Sequence, residues 1–145
     1  MSLAALVGRE MVSAWRDVTQ EQIAQFAEIT GDRQWIHLDA DRARRESPYG
    51  GTIAHGFYTL SLASRLLRDA VGEIDGTRMA INYGLDKVRF PSALPAGSRV
   101  RGRCTLQRLD EVTGGVQATW TVVIEREGSD KPCCAAEWLV RYYGA

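Results

Sequence analysis

The segment 56–70, Gly-Phe-Tyr-Thr-Leu-Ser-Leu-Ala-Ser-Arg-Leu-Leu-Arg-Asp-Ala, decides the fold. Drawn as a helix, it carries apolar side chains around most of its circumference: Phe57, Leu60, Leu62, Ala63, Leu66, Leu67 and Ala70. A helix that is apolar nearly all round is stable only when it is buried on nearly all sides. In a chain of 145 residues, another part of the same chain must therefore wrap around it.

The second half of the chain supplies that wrapping. Apolar and polar residues alternate over Val100–Leu106, Val116–Ile124 and Cys134–Tyr142. Alternation with a period of two predicts antiparallel strands with one buried face. Two further strands are predicted near 78–82 and 85–90, which brings the sheet to about five. The sequence thus predicts an α+β fold in which a curved antiparallel sheet wraps one long central helix.

The first half is mainly helical. Thr19 and Gln22 have the spacing of a capping box, and apolar residues follow at helical spacing, so we expect a helix over about 20–29. A second short helix is expected over Ala40–Glu46. Residues 9–17 are expected to form a short strand.

Length and composition limit the possible functions. The chain has the length of one domain, which we take as 1–145. Lys and Arg together number 18, as do Asp and Glu, so the net charge is zero. A protein that neutralises many phosphates carries a basic excess, so nucleic-acid binding is not expected.

The location follows from two further features. Cys104, Cys133 and Cys134 are odd in number and two are adjacent, so we expect reduced thiols in a reducing compartment. No apolar run approaches the roughly 20 residues that span a membrane, and Met1–Val7 lacks the basic start of a signal peptide. We therefore expect a cytoplasmic protein without a membrane partner.

Both histidines fall in the loop region before the central helix. His37 and His55 lie between Gly31 and Gly56, and the acidic residue Asp32 precedes His37 by five positions. A carboxylate and an imidazole are sufficient to move a proton on and off water near neutral pH. Each of these residues alone is more often structural, because Asp after Gly commonly forms a turn.

Two motifs resemble those of a known family. Thr30-Gly-Asp-Arg-Gln-Trp-Ile-His-Leu-Asp39 and Tyr49-Gly-Gly-Thr-Ile-Ala-His-Gly56 resemble the signature of MaoC-like, R-specific enoyl-CoA hydratases. Gln34-Trp35 replaces the Asn-Pro of the general family and is closer to the branch named after nodulation protein N. The resemblance spans most of 18–143 and implies a hot-dog fold.

The resemblance implies syn addition of water to a trans-2-enoyl thioester, giving a (3R)-hydroxyacyl thioester. Asp32 and His37 would hold the water between them. We expect Asp32 to be the base and His37 the proton donor, although the sequence leaves the order open. The backbone amide of Gly56 would stabilise the developing oxyanion, since helix N-termini favour negative charge. Ser64 matches a position that supports the carboxylate.

Other polar residues near these motifs receive weaker assignments. His55 is expected to shape the loop rather than to catalyse. Lys87 and Arg89 are expected to meet phosphates of coenzyme A. Asp39 stands two residues after His37, but no further ligand follows nearby, so no metal is expected. No cofactor is expected either, because hydration moves only protons and hydroxide.

The expected partners are an acyl thioester and a second copy of the chain. The acyl carrier is coenzyme A or acyl carrier protein, and family members pair two such domains as a homodimer. Two other functions stay open. A hot-dog acyl-CoA thioesterase would place its polar pair along the central helix, and a non-catalytic protein would only bind acyl-CoA or a lipid signal.

Overall fold

The computed structural model of the protein describes residues 1–144 as helices on one side of an antiparallel sheet. The helices are α1 (Leu3–Leu6), α2 (Gln20–Thr30), α3 (Trp35–Leu38), α4 (Ala40–Glu46), α5 (Gly56–Ser61) and α6 (Ala63–Val71). The strands are β1 (Glu10–Val12), β2 (Arg16–Val18), β3 (Met79–Arg89), β4 (Ser98–Val112), β5 (Gly115–Arg126) and β6 (Cys134–Tyr143).

The sheet confirms the α+β hot-dog architecture, with small differences in its strands. The strand order is β1-β4-β5-β6-β3, and β2 also pairs with β4, so the described chain has six strands rather than about five. The two strands predicted near 78–82 and 85–90 form one strand, β3, because a bulge at Tyr83 keeps both parts paired with β6. The strand predicted over 9–17 is divided into β1 and β2.

The central helix runs from Gly56 to Val71. Leu62 joins α5 to α6 with α-helical backbone angles (φ −69°, ψ −16°), so the chain follows one helical path. The helix packs very closely on the sheet at Gly102, where a Cβ atom would lie 2.8 Å from the Cβ of Leu66. Glycine is therefore required at this point of β4, since a larger residue would push the helix away from the sheet.

Part of the helix surface remains exposed, which corrects the expectation of burial on nearly all sides. Ala63, Leu66 and Leu67 face the sheet and are buried. Phe57, in contrast, is 73% exposed, and Leu60 is half-buried. A single sheet covers one side of a helix, so the apolar residues on the other side remain open in the isolated chain.

The first-half helices form as predicted. Both hydrogen bonds of the capping box between Thr19 and Gln22 are present, and α2 ends at Gly31 in the left-handed conformation (φ 75°). The helix predicted over Ala40–Glu46 has those bounds, and Asp39 caps its first turn.

The state of the cysteines and the hydropathy of the helices agree with the predictions made from the sequence. All three cysteines are buried free thiols, and burial raises the pKa of Cys104 to about 12. A thiol with that pKa is a small apolar side chain at neutral pH. Among residues 1–144, no helix is both long enough and apolar enough to cross a membrane.

Candidate active site

The loop between α2 and α3 presents Asp32 at the surface. Gly31 reverses the chain at the end of α2, where its amide donates to the Ala27 carbonyl over 2.9 Å. The next residue, Asp32, is exposed, and its Oδ1 lies 3.5 Å from the amide nitrogen of Gln34. This is the geometry by which an aspartate folds a turn back on itself. The turn leads directly into α3.

Trp35 stands where the general family has proline, and the structure shows how the turn forms without it. Trp35 is the first residue of α3, a position that suits proline because its amide needs no intrahelical acceptor. The Arg42 guanidinium lies 4.2 Å from the centre of the Trp35 ring. This cation–π contact joins α4 to the start of α3 and fixes the position of the ring.

His37 is 6% exposed and is fixed at both its ring and its backbone. Its Nδ1 lies 2.7 Å from the carbonyl oxygen of Ile53. A carbonyl oxygen only accepts, so Nδ1 carries the proton, and the neutral ring has a free electron pair at Nε2. The side-chain amide of Gln20 donates to the His37 carbonyl over 2.8 Å, which joins α2 to α3.

Asp32, His37 and His55 form one cluster, of which the sequence analysis paired only Asp32 and His37. A carboxylate oxygen and one nitrogen from each ring lie within 4.8 Å of one another. The rings of His37 and His55 stack with their centres 3.7 Å apart. A water molecule that bridges Asp32 and His37 is compatible with these separations.

Burial dominates the electrostatics of His37. Loss of solvent lowers its pKa below the ordinary value, because water no longer stabilises the charged ring. The hydrogen bond to Ile53 acts in the opposite direction with a smaller effect, His55 adds to the lowering, and the Asp32 carboxylate again opposes it. His37 is therefore neutral near pH 7 and has the free electron pair of a base.

The cluster also contains the kinds of groups that bind metals. A carboxylate and two imidazoles are common zinc ligands. One nitrogen of each ring contacts a backbone carbonyl, Nδ1 of His37 that of Ile53 and Nε2 of His55 that of Asp32, which leaves the other nitrogen of each ring free. The expectation of no metal considered only Asp39 beside His37, and it stays a prediction.

Gly56 lies beside the cluster at the start of the central helix. It is the first residue of α5, where amides have no acceptor within the helix. A Cβ atom at this position would lie 3.2 Å from the ring of Phe90. The absence of a side chain therefore lets the Phe90 ring pack closely against the backbone next to His55.

Ser64 is not brought to Asp32. No hydrogen bond joins the two side chains within residues 1–144, and Ser64 is exposed on α6. It lines a cavity of about 310 Å³ between the central helix and β3, beside Leu60, Asn82 and Trp138. The cavity does not include Asp32 or His37. The support of the carboxylate by Ser64 thus stays a prediction.

Lys87 and Arg89 lie at the end of β3. The Lys87 ammonium is 3.5 Å from a Glu137 carboxylate oxygen, and Lys87 has a positive φ of 51° at an irregularity of the strand. Arg89 is exposed and precedes Phe90, and among described residues its guanidinium donates only to the neighbouring Val88 carbonyl. Of the two, Arg89 is closer in sequence to the Phe90 ring beside Gly56.

Sequence reasoning missed the residues that hold His37. The side-chain nitrogen of Gln20 donates to the His37 carbonyl 17 positions further along the chain. The Thr52 hydroxyl in turn donates to the side-chain oxygen of Gln20. Ile53 acts through its carbonyl, which every residue has. Nothing in the local sequence distinguishes these roles, because they arise only when α2 packs against the loop before the central helix.

Known proteins with the same fold are found by comparison of both sequence and structure. The family model described as MaoC like domain matches residues 2–127. A MaoC-like dehydratase from Rhodospirillum rubrum superposes with a TM-score of 0.81 at 23% identity, covering 100% of this chain and 98% of that one. The (R)-hydratase from A. caviae involved in PHA biosynthesis superposes with a TM-score of 0.76 at 24% identity, covering 92% of this chain and 94% of that one. At this level of identity the two structures show the fold.

Two curated relatives are more similar in sequence. The 3-hydroxyacyl-thioester dehydratase Z of Mycobacterium tuberculosis is 49% identical over 142 residues, which cover 97% of this chain and 93% of that protein. Nodulation protein N of Rhizobium leguminosarum bv. viciae is 43% identical over 135 residues, with coverage of 92% and 84%. Both matches extend over nearly the whole chain.

Proposed function

The chain belongs to the MaoC-like dehydratase family, and we propose that it is an (R)-specific enoyl thioester hydratase that also runs in reverse as a dehydratase. It adds the hydroxyl group and the proton of water to the same face of the double bond in a trans-2-enoyl thioester, and it forms the (3R)-hydroxyacyl thioester. The observation that carries the proposal is the cluster of the Asp32 carboxylate and the His37 ring within 4.8 Å, with a helix start beside it. The name of the Mycobacterium relative supports the same substrate class.

In the proposed reaction, His37 moves the proton. Its Nε2 takes a proton from water as the oxygen bonds to C3, and the electrons of the double bond move onto the thioester carbonyl as an enolate. The same nitrogen then returns the proton to C2. Because one nitrogen serves both steps, both new bonds form on one face of the substrate.

Asp32 has a supporting role in this scheme. Its carboxylate accepts the second hydrogen of the water and stabilises the imidazolium that forms transiently at His37. This assignment reverses the expectation that Asp32 is the base and His37 the donor. The reason is the hydrogen bond to Ile53, which leaves the neutral ring no proton to donate at Nε2.

The enolate oxygen needs a donor, and we assign this role to the amide of Gly56. A helix N-terminus offers free amides and a favourable dipole to a developing negative charge.

We place the acyl chain in the cavity that begins at Phe57, one residue after Gly56, where apolar side chains dominate the lining. Lys87 and Arg89 remain proposed contacts for the phosphates of coenzyme A, and the scheme requires no cofactor.

Substitution of either cluster residue tests the reaction. We expect Asp32→Asn and His37→Asn to lower kcat by about 10²–10⁴-fold, because one removes the carboxylate that holds the water and stabilises the imidazolium and the other removes the base that transfers the proton. The measurement is the loss of enoyl absorbance when purified protein is mixed with crotonyl-CoA. Asn at position 37 keeps a donor for the Ile53 carbonyl, so it tests the base with little change in packing.

Asp41→Asn is the matched control, because Asp41 is an exposed aspartate that pairs only with Arg44 on α4. It should retain wild-type turnover. Release of free thiol without loss of enoyl absorbance would contradict the proposal in favour of a thioesterase. Binding of acyl-CoA without either reaction would contradict it in favour of a non-catalytic binder.

The pH dependence separates the two possible roles of His37. Burial lowers its pKa, so the neutral form persists to below about pH 6.5. If neutral His37 is the base, kcat/KM should be constant around pH 7 and fall as the pH is lowered through the His37 pKa. If imidazolium is the donor, kcat/KM would instead rise over the same interval. A profile of crotonyl-CoA hydration from pH 5 to 8 distinguishes these outcomes.

We also propose that two copies pair through β3. This strand contacts only β6, so its outer edge is free among the described strands. Its apolar residues Met79, Ile81, Tyr83 and Leu85 are between 43% and 55% exposed. An exposed apolar edge strand favours pairing with another strand, and a two-fold axis would satisfy both copies at once.

Sedimentation velocity tests the homodimer. We expect the wild type to sediment as a dimer and Ile81→Lys to sediment as a monomer, because the lysine would place two charges close together across the axis. The control is Val12→Lys, since Val12 is a 39% exposed apolar residue on β1 at the opposite end of the sheet. A monomeric wild type, or a dimer disrupted equally by Val12→Lys, would contradict the proposed interface.

A further inference from the structure

His55 is a second buried imidazole that takes no part in the proposed proton transfer. It is 3% exposed and directly precedes the central helix. One edge of its ring meets Phe26 of α2, with centres 4.9 Å apart. One face stacks on His37 at 3.7 Å, and Nε2 lies 2.9 Å from the carbonyl oxygen of Asp32. His55 thus contacts both members of the catalytic pair.

The contact with Asp32 defines the tautomer of His55. The carbonyl oxygen accepts, so Nε2 donates, and in the neutral ring Nδ1 has only an electron pair. Nδ1 is buried and has no hydrogen-bond partner among the described residues. A buried polar atom without a partner costs stability, so an apolar ring would pack here at lower cost. Packing alone therefore does not explain a histidine at this position.

We propose that His55 is a positioning residue that holds Asp32 and His37 toward the same water molecule. The Nε2–H group restrains the backbone of Asp32, which lies in an exposed loop and otherwise has two long contacts, one between its amide and the Thr30 hydroxyl oxygen (3.4 Å) and one between its carboxylate and the Gln34 amide (3.5 Å). The ring face restrains the plane of His37, whose edge is fixed by Ile53. This inference rests on the proposed function, since the two restraints meet at the groups assigned to proton transfer.

Two substitutions separate the two restraints. His55→Phe keeps a ring against His37 but cannot donate to Asp32. His55→Gln places an amide donor near the position of Nε2 but loses the ring face. Misplacement of a catalytic group by about 1 Å costs up to about 10²-fold, so we expect kcat to fall by about 10-fold or more in His55→Phe with little change in KM. His55→Gln should recover most of that loss.

The pKa of His37 reports its interaction with His55 independently of turnover. His55 contributes to the lowering of that pKa, so its replacement should raise the pKa of His37. The chain has only two histidines, so His37 is the sole histidine in either variant and its NMR signals need no further assignment. The difference between wild type and each variant is measured by titration of the ring proton resonances.

Thr119→Val is the matched control. Thr119 is also buried and also has an unpartnered side-chain atom, but it lies on β5 and contacts neither catalytic residue in the hydrogen-bond network of residues 1–144. We expect it to retain wild-type kcat and His37 pKa. Its unfolding in urea, measured beside that of the His55 variants, shows how much of their change comes from stability.

The outcomes separate this inference from the proposed function. Wild-type kcat and an unchanged His37 pKa in His55→Phe would overturn the positioning role and leave hydration intact. If the wild type itself does not hydrate crotonyl-CoA, the proposed function fails, and the His37 pKa in the variants still decides whether His55 acts on the His37 ring. If His55→Phe does not fold, the same titration on His55→Gln decides it.

Discussion

The buried hydrogen bond from Nδ1 of His37 to the carbonyl oxygen of Ile53 is the constraint on which the site depends. It fixes the tautomer, and burial keeps the ring neutral, so the free electron pair of Nε2 is available at physiological pH. Ile53 can hold this position because its segment is bonded to the chain before β4: the Ala54 amide donates to the Leu94 carbonyl over 2.8 Å. The segment before β4 therefore helps to hold the carbonyl that fixes the tautomer of His37.

The central helix connects the sheet to this site. It packs on β4 so closely that Gly102 has no room for a side chain, and its first residue, Gly56, follows His55. Any shift of the helix along the sheet would move His55 and the Gly56 amide together, relative to His37 on α3. In the proposed reaction, the base and the oxyanion donor lie on two elements held by one sheet, which would provide the preorganisation that catalysis requires.

Much of this arrangement could be predicted from the sequence, because it depends on local patterns. Alternating apolar residues predicted the long strands, the capping box predicted α2, and the two motifs predicted that Asp32 and His37 lie together. Tertiary contacts were not predictable. The bulge at Tyr83 merged two predicted strands, and Phe57 remained exposed because a single sheet covers one side of the helix. The proposed order of proton transfer also rests on the structure, since the tautomer of His37 depends on a carbonyl 16 residues away.

The stereochemistry of hydration in D2O tests the central claim most directly. If one nitrogen takes deuterium from water and returns it to C2, crotonyl-CoA should give a single (3R)-hydroxybutyryl product with one deuterium at C2, on the same face as the new hydroxyl group. NMR of the purified product measures both centres. Deuterium on the face opposite to the new hydroxyl group would contradict proton transfer by a single nitrogen, and a (3S) product would contradict the proposed R specificity.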